Sequence, residues 1–187
     1  MRTACRKNTF IALSGPHPTF IITVADPESG KKSAITMAWT TPLSVRPPLF
    51  GIAITPRKAT HDVIERAKVF TINIPSKDIQ SETWWTGSHT GRHYDDKISA
   101  AGLTYLPGKI DKNAVSIKEA IASIECRVVE QLSMGDHTLF VGEVVSVDAS
   151  EEFFDIERGY WIPEAVERIF HLAHDVFVVS QKGKFAR

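Results

Sequence analysis

The segment PLSVRPP, Pro42 to Pro48, places three prolines within seven residues. Each proline lacks a backbone N–H and pushes the residue before it out of the α region, so no helix can run through this stretch. The residues on either side then decide the fold class. Ala34 to Thr41 carries Thr36, Trp39, Thr40 and Thr41, a density of β-branched and aromatic side chains that reads as a strand. Leu49 to Thr55 reads as a second strand, with PLSVRPP as the turn between them.

The second strand runs into PRKATH, Pro56 to His61, the most chemically loaded stretch of the chain. Thr60 suits the N-cap of a helix made from DVIERAK. A helix N-terminus offers free N–H groups and the positive end of the dipole. Arg57 adds a planar fork, Thr60 a hydroxyl, and Lys58 a further cation. The residues alone leave two readings open: a phosphate site, or a solvated basic turn ahead of an ordinary capped helix.

A chain of 187 residues is read as one domain, 1–187, with 1–18 as a lead-in segment. At this size it buries roughly 70 % of its unfolded surface and needs no metal or disulfide to fold. Formal net charge is zero, which offers no electrostatic footprint for nucleic acid or an anionic membrane. No apolar run has the length of a membrane span, and MRTACRKNTF lacks the apolar core of a signal peptide. A cytoplasmic location is the expectation. The two cysteines, Cys5 and Cys126, have no metal-type spacing and suit a reduced compartment.

In chain order, Thr19 to Ala25 reads as a strand joined through the turn DPESGKK to the strand from Ala34. Thr60 to Lys68 reads as a short helix, Val69 to Ile74 as a strand stopped by Pro75, and Ser76 onward as a second helical stretch. Residues 86–97, TGSHTGRHYDDK, form an irregular loop with more polar chemistry than a connection requires. Ile121 to Leu132 and His137 to Val147 read as long antiparallel strands around the turn SMGD. Glu164 to Ala173 reads as helical and Val176 to Ser180 as a last strand. About seven strands with two or three short helices argue for a mainly β, antiparallel barrel rather than a βαβ sheet. No G-x-G-x-x-G follows a strand, which argues against a doubly wound dinucleotide fold.

The ordered set T-x-x-W-T, PLS-x-x-PP, PR-x-x-TH, F-x-x-NIP, the loop TGRHYDDK and GDHTLFVGEV (Gly135 to Val144) resembles the flavin reductase-like, FMN-binding split-barrel proteins, and among them the flavoredoxin-like branch. The likeness covers most of residues 19 to 180. Many flavoredoxin-like members carry Asn where this chain has Ser33.

The resemblance implies a split β-barrel, antiparallel and Greek-key-like, with FMN as cofactor. It implies a ring wall of Thr36, Met37, Ala38, Trp39 and Thr40, with Ala53 and Ile54 of the following strand. For Trp39, covering the ring and anchoring the core stand as equal readings. Arg57 and Thr60 suit the phosphate. Asn73, Ile74 and Pro75 are implied at the strand end, and Gly91 and Lys97 in the polar loop. His137 is the one catalytic candidate, with a polar turn residue as its alternative, and Phe170 is implied at the flavin or in a helix core.

The implied activity is electron transfer from NADH or NADPH through flavin to an unidentified acceptor, in a homodimer, with no nucleic acid or membrane partner. The alternatives are a flavoredoxin-type carrier without its own nicotinamide turnover, and a non-enzymatic barrel binding a phosphorylated ligand. No metal is expected: His89, His93, Asp95 and Asp96 lack a third nitrogen or sulfur donor nearby, and the same holds for His171, His174 and Asp175. Trp84 and Trp85 are read as a packed lid or a subunit contact.

Overall fold

The computed structural model describes residues 2–183. Its strands are β1 (His17–Pro18), β2 (Phe20–Ala25), β3 (Lys32–Met37), β4 (Thr40–Val45), β5 (Pro48–Ile54), β6 (Val69–Ile74), β7 (Tyr105–Leu106), β8 (Ser116–Ile117), β9 (Ala122–Met134), β10 (His137–Ala149), β11 (Phe154–Asp155), β12 (Tyr160–Trp161), β13 (Ile169–Ala173) and β14 (Val176–Val179). The helices are α1 (Phe10–Leu13), α2 (Ala59–Ala67), α3 (Gln80–Ser88) and α4 (Lys97–Ala100).

Seven strands form one antiparallel sheet in the order β3-β2-β6-β9-β10-β5-β4. Its two edges, β3 and β4, are consecutive in the chain and separated only by Ala38 and Trp39. Two residues reach only about 7 Å, far less than the width of seven strands about 4.8 Å apart. The sheet must therefore roll until its edges meet. Trp39 crosses that seam, accepting at its carbonyl the N–H of Ala53 at 2.9 Å. Register shifts in the β9–β10 ladder, between Val141 and Gly142 and between Val144 and Ser146, mark bulges that bend a strand and sharpen its twist. At Gly142 a Cβ would lie 2.6 Å from the Phe70 ring, so only glycine lets the ring close over β10 there.

The rolled sheet encloses a core of Ile22, Val24, Ile52, Ile54, Phe70, Ile72 and Phe140, capped by Ile64 of α2. Ile21, Ala25 and Ala34 point the other way into a second cluster with Ile98, Leu103, Val115 and Ile117. β2 is thus buried along its whole length, which is why its sequence is a continuous apolar run rather than an alternation. Asn73 bolts these layers together. Its amide donates to Ile21 O at 2.9 Å and Thr23 Oγ1 at 2.8 Å and accepts Ile117 N–H at 2.8 Å.

Two expectations are corrected here. PLSV is not a bare turn: Thr40–Val45 is an edge strand, where Pro42 is tolerated next to a register shift. Glu164 to Ala173 is not a helix. Ile169–Ala173 pairs with Val176–Val179 on one side and with His17–Pro18 on the other, and these sheet partners override its local helical pattern.

The buried carboxylate of Asp26 accepts the Glu28 and Ser29 N–H groups at 3.0 and 3.1 Å and is paired with the Arg66 guanidinium. Arg66 foremost, opposed by burial, holds the Asp26 carboxyl down at about 2 from its usual 3.8. A depressed carboxylate stabilises the fold fully above the unfolded value and loses that contribution as pH falls through the folded one. Acid unfolding should therefore show stability falling between about pH 4 and 2, and Asp26→Asn, followed by urea melts at each pH, should flatten that fall.

Candidate functional site

The sheet's seam is also its main opening. The cleft there has two compartments that share Ile35, Thr55, Lys58, Gly87 and Ser88. The inner one is mostly apolar, about 260 Å³, and is bounded by the end of β3 and the seam (Ile35 to Trp39), by Ala53, Ile54 and Thr55 at the end of β5, and by Trp84 of α3. Its outer wall is His137 together with His171, His174, Asp175 and Phe177 of the β13–β14 hairpin. The second compartment, about 490 Å³, is polar and is bounded by Arg57 to Thr60, by Gly87 to Gly91 and by Lys97.

Local structure explains each wall. β3 ends at Met37 and α3 packs on it, with Thr36 Oγ1 hydrogen-bonded to Thr83 O and, at 2.6 Å, to Thr86 Oγ1. A Cβ at Gly87 would lie 3.2 Å from Thr36 Cβ, so glycine permits this approach. α2 begins at Ala59, with Lys58 as its N-cap. The expectation of Thr60 as the cap is corrected by one turn position: its hydroxyl sits inside the helix start and pairs with Ser33 Oγ at 2.8 Å. The short serine leaves room for this contact. The orphan N–H groups of the first turn face the polar compartment beside Arg57 and Lys58.

That compartment is strongly electropositive. Arg57, Lys58 and Lys97 line it, and no carboxylate does among the described residues. Lys97 is only 2 % exposed, and its ammonium donates to Thr86 O and His89 O at 2.7 Å each. Burial, then repulsion from Lys58, lowers its pKa to about 8. A buried cation with no anion beside it is costly unless an anionic ligand arrives. His89 stacks on Trp85, ring centroids 4.3 Å apart, and shapes the far rim.

At the inner end, Trp39 lies against the His137 ring, centroids 4.6 Å apart. His137 Nδ1 meets Asp136 Oδ1 at 2.7 Å, and this hydrogen bond holds the Asp136 carboxyl below its usual range.

The structure thus brings Thr36, Met37, Ala38, Trp39, Ala53, Ile54, Arg57, Thr60, Gly91, Lys97 and His137 around one cleft. It places the other candidates elsewhere. Thr40 lines a separate hollow with Phe10, Ile11 and His17. Asn73, Ile74 and Pro75 do not line the cleft: the Asn73 amide is engaged inside the core, and Ile74 and Pro75 are buried beside it. Phe170 lies on β13, paired with Pro18 and Val178, while its neighbour His171 lines the cleft. Sequence reasoning missed the hairpin wall because it read Glu164 to Ala173, which holds His171, as helical and so did not pair it with the strand from Val176. It missed Gly87 and Ser88 as wall residues, although the loop 86–97 was marked by its polarity.

A rolled antiparallel sheet, opened along one seam over a cleft with an apolar and a cationic end, is a split-barrel arrangement of the kind found in flavin-binding proteins. Residues 13–162 match the family described as flavin reductase like domain, and the chain belongs to that family. An uncharacterized protein of Pyrococcus abyssi is 39 % identical over 63 % of this chain and 66 % of its own length. The uncharacterized protein YddH of Escherichia coli is 30 % identical over 88 % of this chain and 87 % of its own. The reductase component of a 4-nitrophenol 4-monooxygenase/4-nitrocatechol 2-monooxygenase from Rhodococcus opacus is 29 % identical over 76 % and 74 %. Among solved structures, an FMN-binding protein from Thermus thermophilus, with bound 1-cyclohex-2-enone, superposes with a TM-score of 0.83 at 26 % identity, over 100 % of this chain and 98 % of its own. Flavoredoxin of Desulfovibrio vulgaris (Miyazaki F) reaches 0.85 at 23 % identity, over 100 % and 96 %, a likeness of fold. Among the described residues no helix is long and apolar enough to cross a membrane.

The Gly87 contact is directly testable. Gly87→Leu should push α3 off β3, lowering stability by about 1–3 kcal/mol and narrowing the junction between the compartments. Urea unfolding measures the first effect.

Proposed function

We propose that the cleft holds FMN and that the protein is an oxidoreductase taking electrons from NADH or NADPH and passing them to a second acceptor. The observation that carries this reading is the pairing of a mostly apolar compartment with an adjoining one that has three cations and no carboxylate among the described residues. A flavin mononucleotide has that division: an apolar ring system and a dianionic tail. The neighbour from Thermus thermophilus is an FMN-binding protein and the Rhodococcus relative a reductase component, which supports both halves of the reading.

The residues suit the group chemically. Arg57 supplies a bidentate fork, Lys58 and Lys97 point charges, and the first turn of α2 free N–H groups for a phosphate. The phosphate would in turn supply the anion that the Lys97 ammonium lacks. Ile35, Met37, Ala53 and Ile54 give the ring an apolar bed, and Trp39 beside His137 closes one end. FMN, when bound, supplies the hydride and electron chemistry. The protein's part is to hold it and keep water from the bed. The Asp136 carboxylate, 2.7 Å from Nδ1, fixes the orientation of the His137 ring at the mouth of the cleft.

The purified protein should show a flavin spectrum and release FMN on denaturation. Anaerobic NADH or NADPH should bleach that spectrum. A flavin that bleaches only with a chemical reductant would favour an electron carrier, and a colourless protein that fails to take up added FMN would refute the cofactor.

Arg57→Ala should remove a charged hydrogen bond of about 1.5–3 kcal/mol, or about 10- to 150-fold in FMN affinity. Riboflavin, which lacks the phosphate, should bind both forms alike. Fluorescence titration with each ligand makes the comparison.

A further inference from the structure

A separate groove of about 790 Å³ lies against the cleft. One wall is the turn Lys77–Ile79 with the first half of α3, and the other is the β13–β14 hairpin. Trp84, Asp175 and Phe177 line both this groove and the apolar compartment, so the two meet at that rim. The groove shares no lining residue with the cationic compartment. The apolar compartment therefore stands between a cationic space and the groove.

The groove has the opposite charge. Asp78 on the α3 side and Asp175 at the hairpin turn are both exposed. Asp78 Oδ2 accepts the Ser76 hydroxyl at 3.1 Å, and no cation pairs with either carboxylate among the described residues. The one cation lining the groove, Lys77, has its ammonium 3.5 Å from Glu167 Oε1. Gln80 and Ser81 add neutral donors.

A dinucleotide hydride donor must bring its nicotinamide to the ring in the apolar compartment and lodge its adenosine half outside it. With the cationic compartment taken by the FMN phosphate, the groove is the adjoining space that remains. NADH and NADPH carry the same nicotinamide and the same pyrophosphate and differ only at the adenosine ribose. In NADH a free 2′-hydroxyl can donate to a carboxylate. In NADPH a 2′-phosphate stands there, and a carboxylate repels it.

We propose that the groove between α3 and the β13–β14 hairpin seats the adenosine half of the donor, and that Asp78 and Asp175 make the protein select NADH against NADPH. This rests on the reductase reading above and deepens it. The selection works by repulsion of the wrong nucleotide as well as by attraction of the right one. The cost of bringing a pyrophosphate near two carboxylates is common to both nucleotides and cancels from their ratio.

The experiment uses the flavin-loaded full chain. NADH should exceed NADPH in kcat/KM by about 10- to 100-fold, the scale of a like-charge contact at a wet surface. The gap should shrink in about 1 M salt, where charges are screened beyond roughly 3 Å. Asp78→Asn and Asp175→Asn should each narrow it about 3- to 10-fold by raising kcat/KM for NADPH. A binding readout needs no turnover: adenosine 2′,5′-bisphosphate should bind wild type more weakly than adenosine 5′-monophosphate, and the variant carrying both substitutions should lose that preference. Equal use of the two nucleotides by wild type, or a preference for NADPH, would overturn the proposal and leave the reductase reading standing. Variants that change both nucleotides alike would overturn it too, since Asp78 and Asp175 would then act on packing. If neither nucleotide bleaches the bound flavin, the reductase reading itself fails and takes this one with it.

Discussion

Two residues, Ala38 and Trp39, join the opposite edges of a seven-stranded sheet, and most of the molecule follows from that tether. Such a sheet cannot stay open, so it rolls around Phe70, Phe140 and the isoleucines of β2, β5 and β6. It does not continue as an unbroken ladder across the tether, because β3 stops at Met37 before β4 begins at Thr40. What remains is a seam between the end of β3 and the β4–β5 ladder, which the Ala53–Trp39 hydrogen bond extends by one residue. Strand ends of this kind commonly carry binding sites, since backbone groups and side chains there are positioned by the sheet but not consumed by it.

The electrostatics of the two ends differ for the same architectural reason. The inner compartment is made of strand residues whose neighbours are the core, so it is apolar. The outer compartment is made of a helix start and a loop, Arg57 to Thr60 and Gly87 to Gly91, where backbone N–H groups and long cations collect. Lys97 is the exception, a cation drawn inward by α4 and steadied by two carbonyls rather than a carboxylate. Two buried carboxylates elsewhere are satisfied internally: Asp26 has Arg66, and Glu125, 2 % exposed, accepts the N–H groups of Lys109 and Ile110.

Much of this was legible in the residues. The apolar runs of β2 and β6 and the long pair β9–β10 announce themselves through β-branched content, and turns such as DPESGKK and SMGD place their ends. PRKATH stood out as a basic cluster at a helix start, although the residues alone left a phosphate site and a solvated turn both open. What was not legible depended on contacts distant in sequence. Ile169–Ala173 looks helical by itself and becomes a strand only because His17–Pro18 and Val176–Val179 flank it. Asn73 looks like a ligand amide at a strand end, and only the approach of β8 shows that it is a structural bolt.

The sequence by itself determined the mainly antiparallel strand content, the position of the cationic helix start and the motif order of the flavin reductase like domain family, because propensity, proline geometry and charge are properties of short stretches. Only the tertiary structure decided that the tether at Ala38 and Trp39 opens a two-part cleft, that a C-terminal hairpin forms its outer wall, and which threonine hydroxyls are left unpaired. Those depend on which atoms meet across the rolled sheet, and burial and hydrogen-bond satisfaction are settled there, by residues far apart along the chain.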